Sequence, residues 1–242
     1  MKIKIVTLNI HKGFSMGNRR ETLHKIKSSL SKVGADIVCL QEVVGAHETK
    51  VKRAQIEVLA DSIWSHHAYG KNAIYSEGHH GNAILSHFPF IDHENFNISN
   101  HRFEQRGILH GVVTGPKWNG KKLHVMTLHL DLMVWGRRRQ ISKLCELIHA
   151  RVPAGEPLLV CGDFNDWGEE VSEVLEESVQ LSEAHLEVKG SHARTFPAKY
   201  PILKLDRIYV RGLKIEHSKC LKGKDWDDLS DHLALYAELS FK

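Results

Sequence analysis

The sequence predicts an α/β protein in which two β-sheets pack face to face between outer helices, and three observations lead there. Short apolar runs, several of them β-branched and bounded by Gly, Pro, Asn or Asp, recur along the chain. They alternate with segments of helical periodicity. Two of the runs, Asp36-Ile-Val-Cys-Leu-Gln-Glu42 and Leu158-Leu-Val-Cys-Gly-Asp163, echo one another as buried-looking strands ending in a carboxylate. That echo fits two sheets that each deliver acids from their strand ends, and a sandwich with helices outside fits the alternation.

Taken in order, the first strand is expected at 2–9, where Ile5-Val6-Thr7-Leu8 runs into Asn9. A helix over 19–33 leads to a strand at 36–43, and a second helical pattern covers 49–64. Strands are expected at 67–74, 82–87, 106–114 and 122–130. The helix at 137–150 places Ile141, Leu144, Cys145 and Ile148 on one face. A strand at 157–163 precedes a helix near 169–178, whose glutamate-rich start suits the positive end of the helix dipole. Strands at 205–210 and 232–240 complete the set. No Pro/Gly/Ser linker and no low-complexity tract divides the chain, so residues 1–242 are expected to form a single domain.

Composition narrows the function classes. The 242 residues are 42% hydrophobic and 26% charged, enough to bury a sizeable core. No apolar run approaches the roughly 20 residues needed to span a bilayer. The N-terminus moves directly into a strand, leaving no room for a removable signal peptide, so a cytoplasmic protein is expected. The formal charge of +4 permits an anionic substrate without demanding nucleic acid. Cys39, Cys145, Cys161 and Cys220 are scattered with no C-x-x-C pair, which argues against a disulfide framework or a zinc site.

The informative pattern is what ends the strands. Asn9, Glu42, His129, Asp163 with Asn165, Asp206, and Ser230-Asp231-His232 each sit at the edge of an apolar run. Singly, such residues cap helices or form turns. Together, on strands of shared orientation, they converge on one rim where the carboxylates repel unless a cation holds them. Oxygen ligands without a cysteine cluster favour a hard ion, Mg²⁺ or Mn²⁺. A metal and a cationic histidine suit charge developing on phosphorus, while an Asp–His pair can activate water and an Asn can orient it.

These residues resemble the endonuclease/exonuclease/phosphatase (DNase I-like) superfamily. The resemblance rests on Thr7-Leu8-Asn9, Leu40-Gln41-Glu42, Gly81-Asn82-Ala83-Ile84-Leu85-Ser86, Thr127-Leu128-His129-Leu130, Gly162-Asp163-Phe164-Asn165, Leu205-Asp206-Arg207-Ile208 and Ser230-Asp231-His232. Finer segments, among them Asn9-Ile-His-Lys-Gly-Phe14 and Asp163-Phe-Asn-Asp-Trp167, are similar to a small bacterial YbhP-like branch. The resemblance implies a four-layer α/β/β/α sandwich of two mixed sheets with one site at the strand-end rim. It implies Glu42 as principal metal ligand, with Asn9 beside it and Asp231 completing the metal site. Asp163 and Asn165 would align the attacking water or the phosphate. His232, held by Asp206, would act as base or as phosphate-polarising acid, and the choice of base between Asp163 and His232 stays open. His129 would hydrogen-bond a phosphate oxygen; a tyrosine is usual there in AP endonucleases, which argues against an AP-site repair enzyme. Arg106, Asn82 and Arg137 are the expected substrate-binding residues.

The implied activity is Mg²⁺- or Mn²⁺-dependent hydrolysis of a phosphodiester, with nucleic acid and phospholipid headgroups as substrate classes. A phosphomonoesterase acting on a small metabolite or phosphoinositide, and a non-catalytic binding protein, are the alternatives. Among weaker features, Arg137-Arg138-Arg139 opposes the dipole at a helix start and so needs a local reason. Met133-Val134-Trp135 is expected to pack against the neighbouring helix, Trp226 to line the opposite wall, and His79 and His80 to lie in a Gly-flanked loop, where they either approach substrate or form an exposed pair.

Overall fold

The computed structural model describes residues 2–18, 20–45, 54–75, 78–101 and 104–242. Its strands are β1 (Lys2–Asn9), β2 (Ile37–Val44), β3 (His66–Tyr75), β4 (Gly78–Ser86), β5 (Phe90–Asn97), β6 (Gly107–Thr114), β7 (Lys122–His129), β8 (Leu158–Asp163), β9 (Ser182–Glu183), β10 (Asp206–Arg211), β11 (Leu213–Cys220) and β12 (Leu235–Phe241). Its helices are α1 (Leu23–Val33), α2 (Gln55–Ala60), α3 (Val134–Arg151), α4 (Val171–Val179) and α5 (Ala184–Lys189). The expected helix starts at 19 and at 49–53 fall outside the described residues.

The strands form two six-stranded sheets, ordered β11-β12-β1-β2-β4-β3 and β5-β6-β7-β8-β10-β9. Each sheet has one parallel pair near its centre, β1 with β2 and β7 with β8, and antiparallel neighbours around it. A parallel pair needs a crossover, supplied by α1 in the first sheet and α3 in the second. Alternation along each strand then feeds two cores at once. Ile3, Ile5, Ile37, Cys39, Val125, Leu159 and Cys161 meet between the sheets. Val6, Leu8, Val38 and Leu40 turn outward onto Ile26, Leu30 and Leu59. Met126, Leu128 and Val160 turn outward onto Ile141, Leu144 and Ile148, the helical face expected from the sequence. Strands buried on both faces lose polar alternation, which is why these segments read as continuous apolar runs. The result is the four-layer α/β/β/α sandwich of two mixed sheets.

The strands that sequence patterning misses are β5, β9 and β11. All three lie at or next to a sheet edge, and β5 (Phe-Ile-Asp-His-Glu-Asn-Phe-Asn) is largely exposed and polar. Edge strands carry charge to discourage further pairing, so their apolar signal is weak. The short α5 escapes for a different reason. Its start is set by one residue, Glu183, whose carboxylate accepts the Leu186 N–H at 2.6 Å. Two side-chain expectations also change. Met133, Val134 and Trp135 are 56%, 39% and 49% exposed, because they lie at and just before the start of α3, above the rim. Trp226 is buried among Leu229, Leu233 and Tyr236 in the core of the first sheet and lines no part of the candidate pocket. Among the described residues, no helix is long and apolar enough to cross a membrane.

Candidate active site

The inner strands end on a common rim, and local backbone irregularities aim their terminal side chains inward. The β2–β4 register shifts between Leu40 and Val43, and within this bulge Glu42 adopts φ 57°. A bulge with a left-handed residue stores strain that ordinary strand geometry would release, and here it re-aims the carboxylate. Asn165 is likewise left-handed at φ 49°. Gly162, at φ 144°, lies against β7 so closely that a Cβ would stand 2.0 Å from the Leu128 carbonyl oxygen. That approach brings Asp163 and His129 into register across the parallel pair. Beneath the rim, buried Gln41 donates to Thr7 Oγ1 (3.2 Å) and Thr127 Oγ1 (2.9 Å), tying the first sheet to the second.

Above this tie the polar groups form one connected set. Asn9 Nδ2 lies 3.1 Å from Asp163 Oδ2 and 3.3 Å from Glu42 Oε1. The Asn165 backbone N–H donates to Asp163 Oδ1 at 3.0 Å, while its side-chain amide is anchored to the Leu130 carbonyl at 2.9 Å. His232 Nδ1 is 2.9 Å from Asp206 Oδ2, and its Nε2 is 3.7 Å from Asp163 Oδ2. His129 stands between the acids, with Nε2 3.4 Å from Asp163 and Nδ1 3.9 Å from Glu42. Ser230 Oγ donates to the Asn9 carbonyl at 2.7 Å, joining the last loop to the first strand.

Burial and these neighbours set the charges. Burial raises the Asp163 carboxyl to about 6, with the Asp206 charge adding and the His232 charge opposing. For His232 burial works downward, but the carboxylates of Asp206 and Asp163 outweigh it and hold the imidazole at about 10. His129 goes the other way: burial, then the positive charges of Arg106 and the nearby histidines, push it well below 6.5. The rim therefore carries an imidazolium at His232 and a neutral imidazole at His129.

A pocket of about 380 Å³ opens over this set, lined by Asn9, Glu42, His129, Asp163, Asn165 and His232, with Arg106, His80 and Lys12 around it. Arg106 is positioned by Glu104, whose Oε1 accepts from Nη2 at 2.8 Å. Asp206 is fully buried and reaches the pocket only through His232. Asp231 is half-buried beside His11, at 3.8 Å, and is not part of the lining. Two expected substrate contacts lie elsewhere. Asn82 is buried with its amide on the Gly107 (2.9 Å) and Thr127 (3.4 Å) carbonyls, a bridge beneath the pocket. Arg137 is also buried, donating to the Leu132 carbonyl at 2.6 Å, and its guanidinium faces the Trp167 ring rather than the acids.

Sequence reasoning passed over several residues. Arg207, fully buried, donates to the backbone carbonyls of Lys204, Asp206 and Asp166, clasping the loops that follow β8 and precede β10. Leu132, Trp167, Phe196, Leu203 and Leu205 form an apolar wall opposite the acids. The Phe196 ring packs 4.9 Å from the His232 ring. His80 belongs to β4 and lines the pocket, with burial pushing its imidazole down to about 4, whereas His79 Nδ1 meets the Tyr69 hydroxyl at 2.9 Å. The arginine of Leu205-Asp206-Arg207 was visible as part of a motif, but nothing in its spacing announced a clasp.

The donor set fits a hard divalent cation. Asp163, Asp206 and His232 present ligand atoms within 4.8 Å of one another. Asp206 Oδ1 is buried without a hydrogen-bond partner. Glu42 adds a carboxylate oxygen beside them, while the buried thiols Cys39 and Cys161 lie away in the inter-sheet core. Asn9 turns its amide nitrogen to that carboxylate at 3.3 Å, and its Oδ1 accepts the His11 N–H at 3.0 Å. His232 Nδ1 is committed to Asp206, and Glu42 lines the pocket beside this cluster while Asp231 stands outside the lining.

Comparison with known proteins follows the same lines. A family model described as "Endonuclease/Exonuclease/phosphatase family" matches residues 6–232. The uncharacterized protein YbhP of Escherichia coli (strain K12) is 44% identical over 243 residues, covering 98% of this chain and 95% of that protein. Among solved structures, an endonuclease/exonuclease/phosphatase from Beutenbergia cavernae superposes with a TM-score of 0.84 at 18% identity, over 99% of this chain and 72% of that one. TDP2 of D. rerio complexed with a single-strand DNA product gives a TM-score of 0.76 at 20% identity, over 99% of both chains.

Proposed function

Because the chain belongs to the endonuclease/exonuclease/phosphatase family, we propose that it is a Mg²⁺- or Mn²⁺-dependent phosphoesterase that hydrolyses a phosphodiester by attack of an activated water. The observation that carries this reading is the Asp206–His232–Asp163 line, in which His232 and the facing Asp163 carboxylate line one pocket and Asp206 is buried behind the imidazole. Glu42, Asn9 and Asp231 would hold the metal, which when bound supplies a Lewis acid that offsets charge on the phosphoryl oxygens. Asp206 fixes the His232 ring through Nδ1 and turns Nε2 toward Asp163 and the pocket. From there His232 donates to a phosphoryl oxygen. Asp163, fixed by Asn9 and the Asn165 N–H, orients the water and accepts its proton. Neutral His129 adds a hydrogen bond to the phosphate, and Arg106 supplies fixed positive charge. The single-strand DNA product held by a protein of the same fold supports a diester as substrate.

The test is cleavage of bis-p-nitrophenyl phosphate. Turnover is expected with Mg²⁺ or Mn²⁺, none in EDTA, and a loss of about 100-fold or more in Asp163→Ala and His232→Ala. A folded, metal-loaded sample that cleaves neither this ester, nucleic acid nor phospholipid headgroups would overturn the proposal.

A further inference from the structure

We propose that Trp167 is a stacking platform selecting substrates with a planar aromatic ring next to the scissile phosphate, as in single-stranded nucleic acid, and that Arg137 is its positioning residue; the inference rests on the phosphodiesterase reading above. Trp167 follows a backbone that cannot drift. The preceding residue, Asp166, is buried, its carboxylate accepts the Val171 N–H at 3.0 Å, and its carbonyl is held by Arg207 at 3.2 Å. From α3, Arg137 places its guanidinium carbon 4.6 Å from the centre of the Trp167 ring. That guanidinium is itself buried and anchored to the Leu132 carbonyl at 2.6 Å. Trp167 nevertheless remains 47% exposed and lines the pocket.

A single exposed tryptophan is unremarkable on a protein surface. A desolvated arginine committed to the back of one is not, because burying a guanidinium is costly unless the charge is used. Its effect is to pin an indole that stays half-exposed where it lines the pocket. A pinned flat face favours a flat partner, whereas an aliphatic chain gains equal contact from any apolar side chain. Arg106 and Lys12 line the same pocket, so ring-stacking surface and phosphate-directed charge stand together. Aromatic platform plus cationic groove is the combination by which single strands are held without sequence readout. The arrangement also answers why an arginine occupies the first turn of α3 against the helix dipole.

The test measures binding without turnover, in EDTA, by fluorescence anisotropy of a labelled hexathymidylate and of the same strand carrying abasic residues. The unsubstituted protein should prefer the base-bearing strand by roughly tenfold, the scale of base–aromatic stacking. Trp167→Ala should bind both strands with the abasic affinity, Trp167→Phe should keep most of the preference, and Arg137→Met should lose part of it while abasic affinity holds. Equal affinity of the unsubstituted protein for both strands, or failure to bind either, would overturn the proposal. So would a Trp167→Ala loss that is the same for both strands, or one seen only on phosphatidylglycerol vesicles. Failure of the parent reading shows separately, as absence of metal-dependent hydrolysis.

Discussion

Gly162→Ala tests how tightly the two halves of the rim are forced together. At φ 144° an alanine is strained, and its Cβ would stand 2.0 Å from Leu128 O and 3.0 Å from Leu128 C. The obstacle is backbone of the paired strand, so no side chain can swing aside. Gly155 is the control, with φ 88° and nothing within 4 Å of its added Cβ. Gly155→Ala should therefore cost only the backbone term, about 1 kcal/mol. Gly162→Ala adds overpacking of about 1–3 kcal/mol to a similar strain, giving a loss of roughly 2–4 kcal/mol. Guanidinium unfolding at neutral pH, with unchanged slopes, reads both. Because Gly162 adjoins Asp163, and its strand partner Leu128 adjoins His129, hydrolysis by the folded fraction of Gly162→Ala should fall as well. If the two variants agree within 1 kcal/mol, the close approach of β7 and β8 is not what the geometry says it is.

Asp206→Asn removes the carboxylate that contributes most to raising His232 to about 10, so in EDTA an NMR titration should show the imidazole losing its proton at distinctly lower pH; an unchanged titration would remove Asp206 from that role. His110 tests the sign of a lowered value. Burial, then the charges of His124 and Arg151, push it to about 4 despite nearby Asp92. The unfolded chain thus takes up a proton near pH 6.5 that the folded chain refuses. His110 should therefore contribute a fall in stability of about 2 kcal/mol between pH 7.5 and 5, and His110→Gln should remove that share of the dependence in urea melts. Mn²⁺ at 100 times its dissociation constant should raise stability by about 2.7 kcal/mol, and Glu42→Ala should abolish the shift in melting temperature.

Much of the site was legible because strand-end polar residues interrupt runs buried on both faces, a contrast that survives in one dimension. Asp163, Asn165, His232, Glu42, Asn9, His129 and Arg106 all reach the same pocket. The bulge that aims Glu42 left no trace in its neighbours, since a left-handed glutamate has no sequence signature. Arg137 and Asn82 were placed by motif position, but each finds backbone carbonyls first, and burial decides which partner wins. Most of the apolar wall was missed because Phe196 and Leu203 come from an irregular segment with no period to betray a face. Polar edge strands such as β5 stay hidden for the related reason that only half-buried strands alternate.

The pairing of β12 with β1 gives the molecule a property in time as well as in space. Asn9 enters from the first strand and His232 just before the last, and Ser230 seals them together by bonding the Asn9 carbonyl. Pairings between residues more than 200 positions apart form slowly and late. A nascent chain halted between β11 and Ser230 would hold Glu42, His129 and Asp163 while lacking the imidazole and the seam that closes the rim. Competence in this fold arrives as a single event, when the last strand docks beside the first.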